Sequence, residues 1–357
     1  MGEPLTVVPP AVSKPARRGV RRLEVGEMRA GEAAGTARVV FHPAGLDEEL
    51  RPVVEDVQAG RWMAMRDLLA QSGSAVGLRT ARTQVLAAVA AGSDVVATWC
   101  REEPQSLDAV VMRARVAVER ALRASRQHGA WAGVLAAEAR EVCWSAARAS
   151  PADSVPWVCL IALAQLDQPL AVREHRAGPP YGSFLPPGPW GLLAEAYQRD
   201  PVGREAHVRM LQFWLSRPRP LEAVWHFVQW AESWAPVGSP LLVLPLHAHV
   251  EHYRLLQAAR RLRTGHKGQW RLDESVVRRT DRAWSHWFEA EALEPRSAVD
   301  LNVLAHALWA GGRRAEAARV FEAIGPYAGR MPWAHVAADP GRAELEFVQA
   351  RAQCRKA

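Results

Sequence analysis

From Leu46 onward the apolar residues of this chain recur at helical spacing. Leu50, Val53, Val54 and Val57 form one stripe, Gly60 interrupts it, and Trp62, Met65, Leu68 and Leu69 form the next, the pattern of a helix hairpin. The same period predicts further helices over about 77–91, 93–102, 106–126, 130–149 and 154–166. The most regular stretch is 301–324. Leu301, Leu304, Ala305 and Leu308 share one face, Gly311 and Gly312 break the chain, and Ala317, Val320, Phe321 and Ile324 line a second helix that the alanine lets approach closely. A helix-end signal also recurs: Ala146, Ala196, Ala231 and Ala290 each stand five residues before a proline, at Pro151, Pro201, Pro236 and Pro295. Proline lacks the N–H a helix needs, so it is expected to stop one helix and open the next. Trp157, Leu160, Leu301, Leu304, Ala317 and Phe321 are the predicted contacts between stacked helices.

The order of large and small residues over 301–324, and the run Ala139, Ala146, Pro151, Trp157 and Leu160, resemble a tetratricopeptide repeat. The interval from Pro201 to Pro236 fits the family's period of about 34 residues, whereas the flanking intervals are longer, so the array reads as degenerate. Over its whole length the chain resembles tetratricopeptide-like proteins of actinobacteria. The resemblance implies an all-α fold, a right-handed α-α superhelix of helical hairpins over 46–357. Two insertions are expected. One lies near 167–190 and includes the Pro- and Gly-rich stretch 177–190; the other, 260–273, carries Arg260, Arg261, Arg263, His266, Lys267 and Trp270. Residues 1–45, with Pro4, Pro9, Pro10, Pro15 and the basic run Arg17, Arg18, Arg21 and Arg22, read as a disordered tail in which only 39–41 is a candidate for local packing.

In tetratricopeptide arrays the first helix of each pair lines a concave groove, and the resemblance therefore implies groove residues. Asn302, His306 and Trp309 lie opposite the partner-facing stripe of their helix; Arg209 and Gln212 on one earlier helix, and His247 and Glu251 on another, hold comparable places. Asn, Arg and His suit a peptide backbone or carboxylate, and Trp309 suits an apolar anchor. The plainer alternative is that these are half-exposed helix residues. The family's lysine-rich carboxylate clamp is missing.

Composition narrows the functional classes. The chain is 49% apolar and 23% charged, a folded composition, and its 15 Trp residues make indole the main large core filler. The net charge of +7 invites an anionic partner. However, all the basic residues but Lys14, Lys267 and Lys356 are Arg, and Ala is plentiful, as a GC-rich genome imposes, so nucleic acid is not the favoured partner. Cys100, Cys143, Cys159 and Cys354 form no C-x-x-C pair and read as buried thiols. The absence of a long apolar run, and of an apolar segment after the twin arginines, points to a cytoplasmic protein with no membrane partner.

Candidate chemistry is sparse. Phosphate loops, dinucleotide fingerprints, nucleophile elbows and zinc helices are all absent from the sequence, so no catalytic residue, cofactor or metal ligand is assigned. The segment 246–254 carries His247, His249, Glu251 and His252, where i, i+4 and i, i+3 pairs point to different sides. Trp225, Trp230 and Trp234 are either an exposed stacking platform or core. The resulting expectation is a non-catalytic scaffold that binds a protein or peptide in its groove. Its rivals are a regulatory module that senses a ligand or binds nucleic acid through the Arg-rich tail and loop, and an enzyme or metal protein built on the His247–His252 cluster.

Overall fold

The stripe Leu50, Val53, Val54 and Val57 is the buried face of α1 (Leu50–Gln58), and Gly60, at φ +80°, turns the chain into α2 (Met63–Ser72), which buries Met65, Leu68 and Leu69. The computed structural model describes residues 39–179, 185–217, 220–258, 270–337 and 340–356. The basic run at 14–22 and the loop residues Arg260, Arg261, Arg263, His266 and Lys267 lie outside them, as does the predicted tail up to residue 38. Next come α3 (Val76–Ala90), α4 (Val95–Glu102), α5 (Leu107–Arg126), α6 (Ala132–Ala149) and α7 (Val155–Ala164), all within two residues of the ranges that periodicity predicts. Beyond them lie α8 (Trp190–Arg199), α9 (Arg204–Leu215), α10 (Pro220–Trp234), α11 (Leu244–Ala258) and α12 (Glu274–Ala283), the last continuing into a π turn over Trp284–Phe288. The chain closes with α13 (Ala298–Ala310), α14 (Arg314–Ile324), the single turn α15 (Trp333–Val336) and α16 (Ala343–Arg355). The described residues are all-helical. Their only strand-like pairings are isolated bridges between Val40 and Tyr327 and between Ala177 and Gly188.

Local chemistry sets the helix ends. Ser106, Asp273 and Ser297 accept backbone N–H groups at the starts of α5, α12 and α13. Between α13 and α14, Gly312 adopts φ +87°, which a residue with a Cβ resists, and the hairpin turns there as its glycine pair requires. Ala146 and Ala196 are buried, and their carbonyls accept the N–H of Ser150 and Asp200 at 2.8 and 2.9 Å. Ala231 is buried too, while Ala290 is only half-buried. The prolines behave differently from the expectation. Pro151 and Pro201 sit in exposed turns ahead of Val155 and Arg204, so they end helices without opening the next.

Among the described residues, side chains bury into three apolar clusters joined by two double-sided helices. α5 gives Ala109, Met112 and Val116 to the cluster of α1–α4, and Val111, Ala114 and Val118 to the cluster of α6–α10. α11 joins the second cluster through Leu244 and Ala248 and the third through Leu246 and Val250. Leu160, Leu301, Leu304, Ala317 and Phe321 are buried as expected, and Trp157 is half-buried. Cys143, Cys159 and Cys354 are buried and Cys100 half-buried.

Contacts also join parts far apart in sequence. Val39 and Leu46 pack on the third cluster, Val40 N–H donates to the Pro326 carbonyl at 2.8 Å, and the Arg51 guanidinium lies 4.0 Å from the Tyr327 ring centroid. Inside, ion pairs tie the helices together. Arg115 and Arg209 share Glu205, Arg79 bridges Asp108 and Asp153, and Arg204 and His247 share Asp300. Such contacts exceed the neighbour-to-neighbour stacking of an open repeat array. Among the described residues no single helix is long and apolar enough to cross a membrane.

Candidate binding cleft

Helix α6 packs through Ala139, Cys143 and Ala146, and Trp144, one position on from Cys143, emerges at the edge of that face. Trp157, in the first turn of α7, meets it with ring centroids 5.4 Å apart and planes at 89°. The two indoles make a right-angled corner. Arg199 fixes the second of them: its guanidinium lies 4.8 Å from the Trp157 ring centroid while it donates to the Glu195 carboxylate at 2.8 Å and to the Pro151 carbonyl. The Trp157 indole N–H is buried and has no hydrogen-bond partner among the described residues.

The opposite wall is the short turn Arg173–Arg176, held by one carboxylate. Asp167 accepts the N–H groups of Ala171 and Val172, each at 2.9 Å, and pairs with the buried His175 ring at 2.9 Å. Burial alone would raise the Asp167 pKa, but these donors outweigh it and hold the carboxyl below its ordinary value. Burial has the larger effect on His175, which is pushed below the usual histidine range. Glu174 is paired with Arg140. Arg173 and Arg176, flanking it, are exposed and form no ion pair among the described residues.

Gly191, Leu192 and Glu195 of α8 complete a cleft of about 740 Å³. A Cβ on Gly191 would meet nothing within 4 Å, so this stretch of α8 lies open. Both carboxylates of the lining are already paired, Glu174 to Arg140 and Glu195 to Arg199, and the uncommitted charge is therefore the positive charge of Arg173 and Arg176. The arrangement can stack an apolar side chain in the indole corner and draw an anionic group to its rim.

The residues expected in a concave groove are elsewhere, and most are buried. Asn302 and His306 have no exposure, and Trp309 is 6% exposed. Trp333 donates its indole N–H to Asn302 Oδ1 at 2.8 Å, Trp270 meets the His306 ring edge-on at 4.8 Å, and Trp309 donates to Gln353 Oε1 at 3.0 Å. The reason is the surface of α13 itself. From Asp300 to Ala310 every residue is buried, because residue 270, α15 and α16 add to the cover that α14 supplies, as suits a helix apolar nearly all round. Arg209 is buried against Glu205 and reaches Gln212 at 3.1 Å. His247 is bonded to Asp300 at 2.7 Å, and Glu251 to Arg254 at 2.7 Å. These seven residues do not form one surface.

The histidine cluster separates as its register implies. His249 turns inward to Trp225 and to Arg279, whose guanidinium is 3.0 Å from its Nε2, while His247 faces Asp300. Burial, with Arg279 beside it, lowers the His249 pKa to about 3. Among the described residues no group of three or more metal-ligating side chains converges. Trp225 is half-buried against His249 and Arg279, while Trp230 and Trp234 are half-buried against each other and Trp230 also meets Trp190, so of the two readings the three rings do not make an exposed stacking platform. The corner residues Trp144 and Trp157 escaped the sequence reading as a site. The available signal was Trp144's place one step beyond the Ala139, Cys143, Ala146 stripe, which puts an indole where packing ends.

No family model matches this chain. Neither a curated protein nor a solved structure matches it either.

Proposed function

We propose that the chain is a non-catalytic, cytoplasmic interaction protein, a degenerate tetratricopeptide-like array of helical hairpins, and that it binds a peptide segment of a protein partner in the cleft between α6, α7, the 173–176 turn and α8. One observation carries the reading: a right-angled tryptophan corner shares its cleft with two arginines that pair with no acid among the described residues. Tryptophan and arginine are the side chains that most often dominate binding energy at protein interfaces. A fitting segment presents an aromatic or long aliphatic side chain to the corner and an Asp or Glu to Arg173 and Arg176. The hairpin register at 301–324 and the alanine-to-proline spacing support the repeat reading.

The test is selection from a random peptide library against the full-length protein, followed by calorimetry. Selected peptides are expected to pair an aromatic residue with a nearby acidic one. Trp144→Ala is expected to weaken their binding by about 2 kcal/mol, and Arg173→Glu together with Arg176→Glu to abolish the acidic preference. Peptides that bind these variants as well as the parent protein would remove the cleft from consideration.

A further inference from the structure

Helix α8 has a second face, turned away from the cleft, and it closes a separate pocket. Trp190, Leu193 and Tyr197 of α8, His207 of α9, and Trp230 and Trp234 of α10 surround about 300 Å³. The rings stand close to perpendicular to one another. Trp190 and Trp230 meet at 5.4 Å and 80°, Trp230 and Trp234 at 5.5 Å and 68°, and Tyr197 and Trp234 at 5.7 Å and 86°. Tyr197 is 44% exposed and stands at the mouth. The volume is at the lower end of the range for small-molecule sites, about 300–1,000 Å³.

Two nitrogens of the lining residues are buried with no hydrogen-bond partner among the described residues. His207 is 1% exposed, and its Nδ1 lies 2.8 Å from the Gly203 carbonyl, which can only accept. Nδ1 therefore carries the proton and Nε2 is left as a bare acceptor, buried and unsatisfied. Burial lowers the His207 pKa to about 4, so the ring stays neutral near pH 7 and remains an acceptor. Next to it, with ring centroids 5.4 Å apart, the Trp234 indole N–H is a donor that is likewise buried and unsatisfied. A buried polar group without a partner costs stability, and a ligand that supplies the partner recovers it.

We propose that this pocket binds a small neutral aromatic molecule bearing a hydroxyl group, a phenol, whose O–H donates to His207 Nε2 and whose oxygen accepts from the Trp234 indole N–H. A hydroxyl answers an acceptor and a donor together, whereas a carbonyl leaves His207 unanswered and an ammonium group leaves Trp234 unanswered. The lining carries no formal charge. A carboxylate finds no cation there, and a quaternary ammonium, though suited to ring faces, satisfies neither nitrogen.

The experiment is calorimetric titration of the full-length protein with β-naphthol, naphthalene, β-naphthoate and phenyltrimethylammonium. β-Naphthol is expected to bind about ten-fold or more tightly than naphthalene, the margin of two net hydrogen bonds, and the two ions to bind more weakly still. His207→Phe and Trp234→Phe keep an aromatic ring in each place and are each expected to shrink the preference for the hydroxyl; Trp144→Ala, in the other cleft, is expected to leave it intact. Trp234 is only half-buried, so its variant gives a reading even where His207→Phe fails to fold. Equal affinity for β-naphthol and naphthalene, no binding of either, tighter binding of the ammonium ion, or a hydroxyl preference unchanged in the Trp234 variant overturns the assignment.

Discussion

Glu294 shows how far the interior moves a single group. Its carboxyl is pushed up to about 7, first by burial and then by the nearby carboxylates of Asp200 and Asp300, against which Arg204 works in the opposite direction. Burial likewise raises Asp200 to about 6. Asp300 goes the other way. Burial would raise it too, but Arg204, paired with it through 2.7 Å and shorter contacts, and His247 at 2.7 Å hold it well below the carboxylate range. For Glu294 the folded value exceeds the ordinary 4.5, so the folded protein keeps a proton that the unfolded chain releases between about 4.5 and 7. Its contribution is therefore fully present below about pH 4.5 and is lost as the pH rises through 7, and Asp200 adds in the same direction over a lower window. Glu294→Gln removes the titration while keeping the shape. Urea unfolding at about pH 5 and about pH 8 is expected to show the variant gaining roughly 1 kcal/mol on the parent at the higher pH, the figure being reduced for partial exposure. A variant whose stability follows the parent at both pH values would show that Glu294 ionises without penalty.

At the scale of elements, what the sequence made legible is whatever a helix settles with its nearest neighbours. The stripes of α1 and α2, the limits of α3 to α7 and the glycine turn between α13 and α14 follow from spacing alone, since each apolar face meets the next helix along the chain. Helix α13 shows where that legibility stops. Its stripe of Leu301, Leu304 and Leu308 correctly names one buried face, but Asn302 and His306 on the same helix are covered by Trp270 and Trp333, which come from outside the hairpin. Asn302 and His306 look like groove residues until Trp333 is placed over them. The cleft was illegible for a related reason: Arg173 and Arg176 sit in a turn without periodicity, shaped by Asp167 and not by a hydrophobic face. Phe321 on α14 tests the packing directly, because its ring meets Trp333 at 5.9 Å and Phe347 at 5.3 Å in this same cover. Phe321→Ala is expected to cost about 3–5 kcal/mol in urea unfolding, as loss of a fully packed phenylalanine does. A change of a few tenths would mean that α14 does not pack against α15 and α16 as described.

Across the whole of residues 39–356, the contacts that matter most for cooperativity are those joining early and late parts of the chain. An open repeat array unfolds as a series of neighbours, and its terminal units fray independently. Here Val40 exchanges hydrogen bonds with the 326–328 turn, Arg51 covers Tyr327, and Gly45, at φ +53°, lies where an added Cβ would come within 3.0 Å of the Ala298 Cβ. Helix α1 and the α13–α14 hairpin should therefore gain and lose protection together, although well over two hundred residues separate them. Gly45→Val attacks that junction twice, by forcing a branched side chain into a left-handed backbone and by crowding Ala298. Native-state hydrogen exchange is expected to show faster exchange in α1 and around 326–328 in this variant, with α6, α7 and α8, which bear the cleft, unchanged. Acceleration confined to α1 would mean that the two ends behave as independent caps of an open array, and the closing contacts would then add nothing to the cooperativity of the molecule.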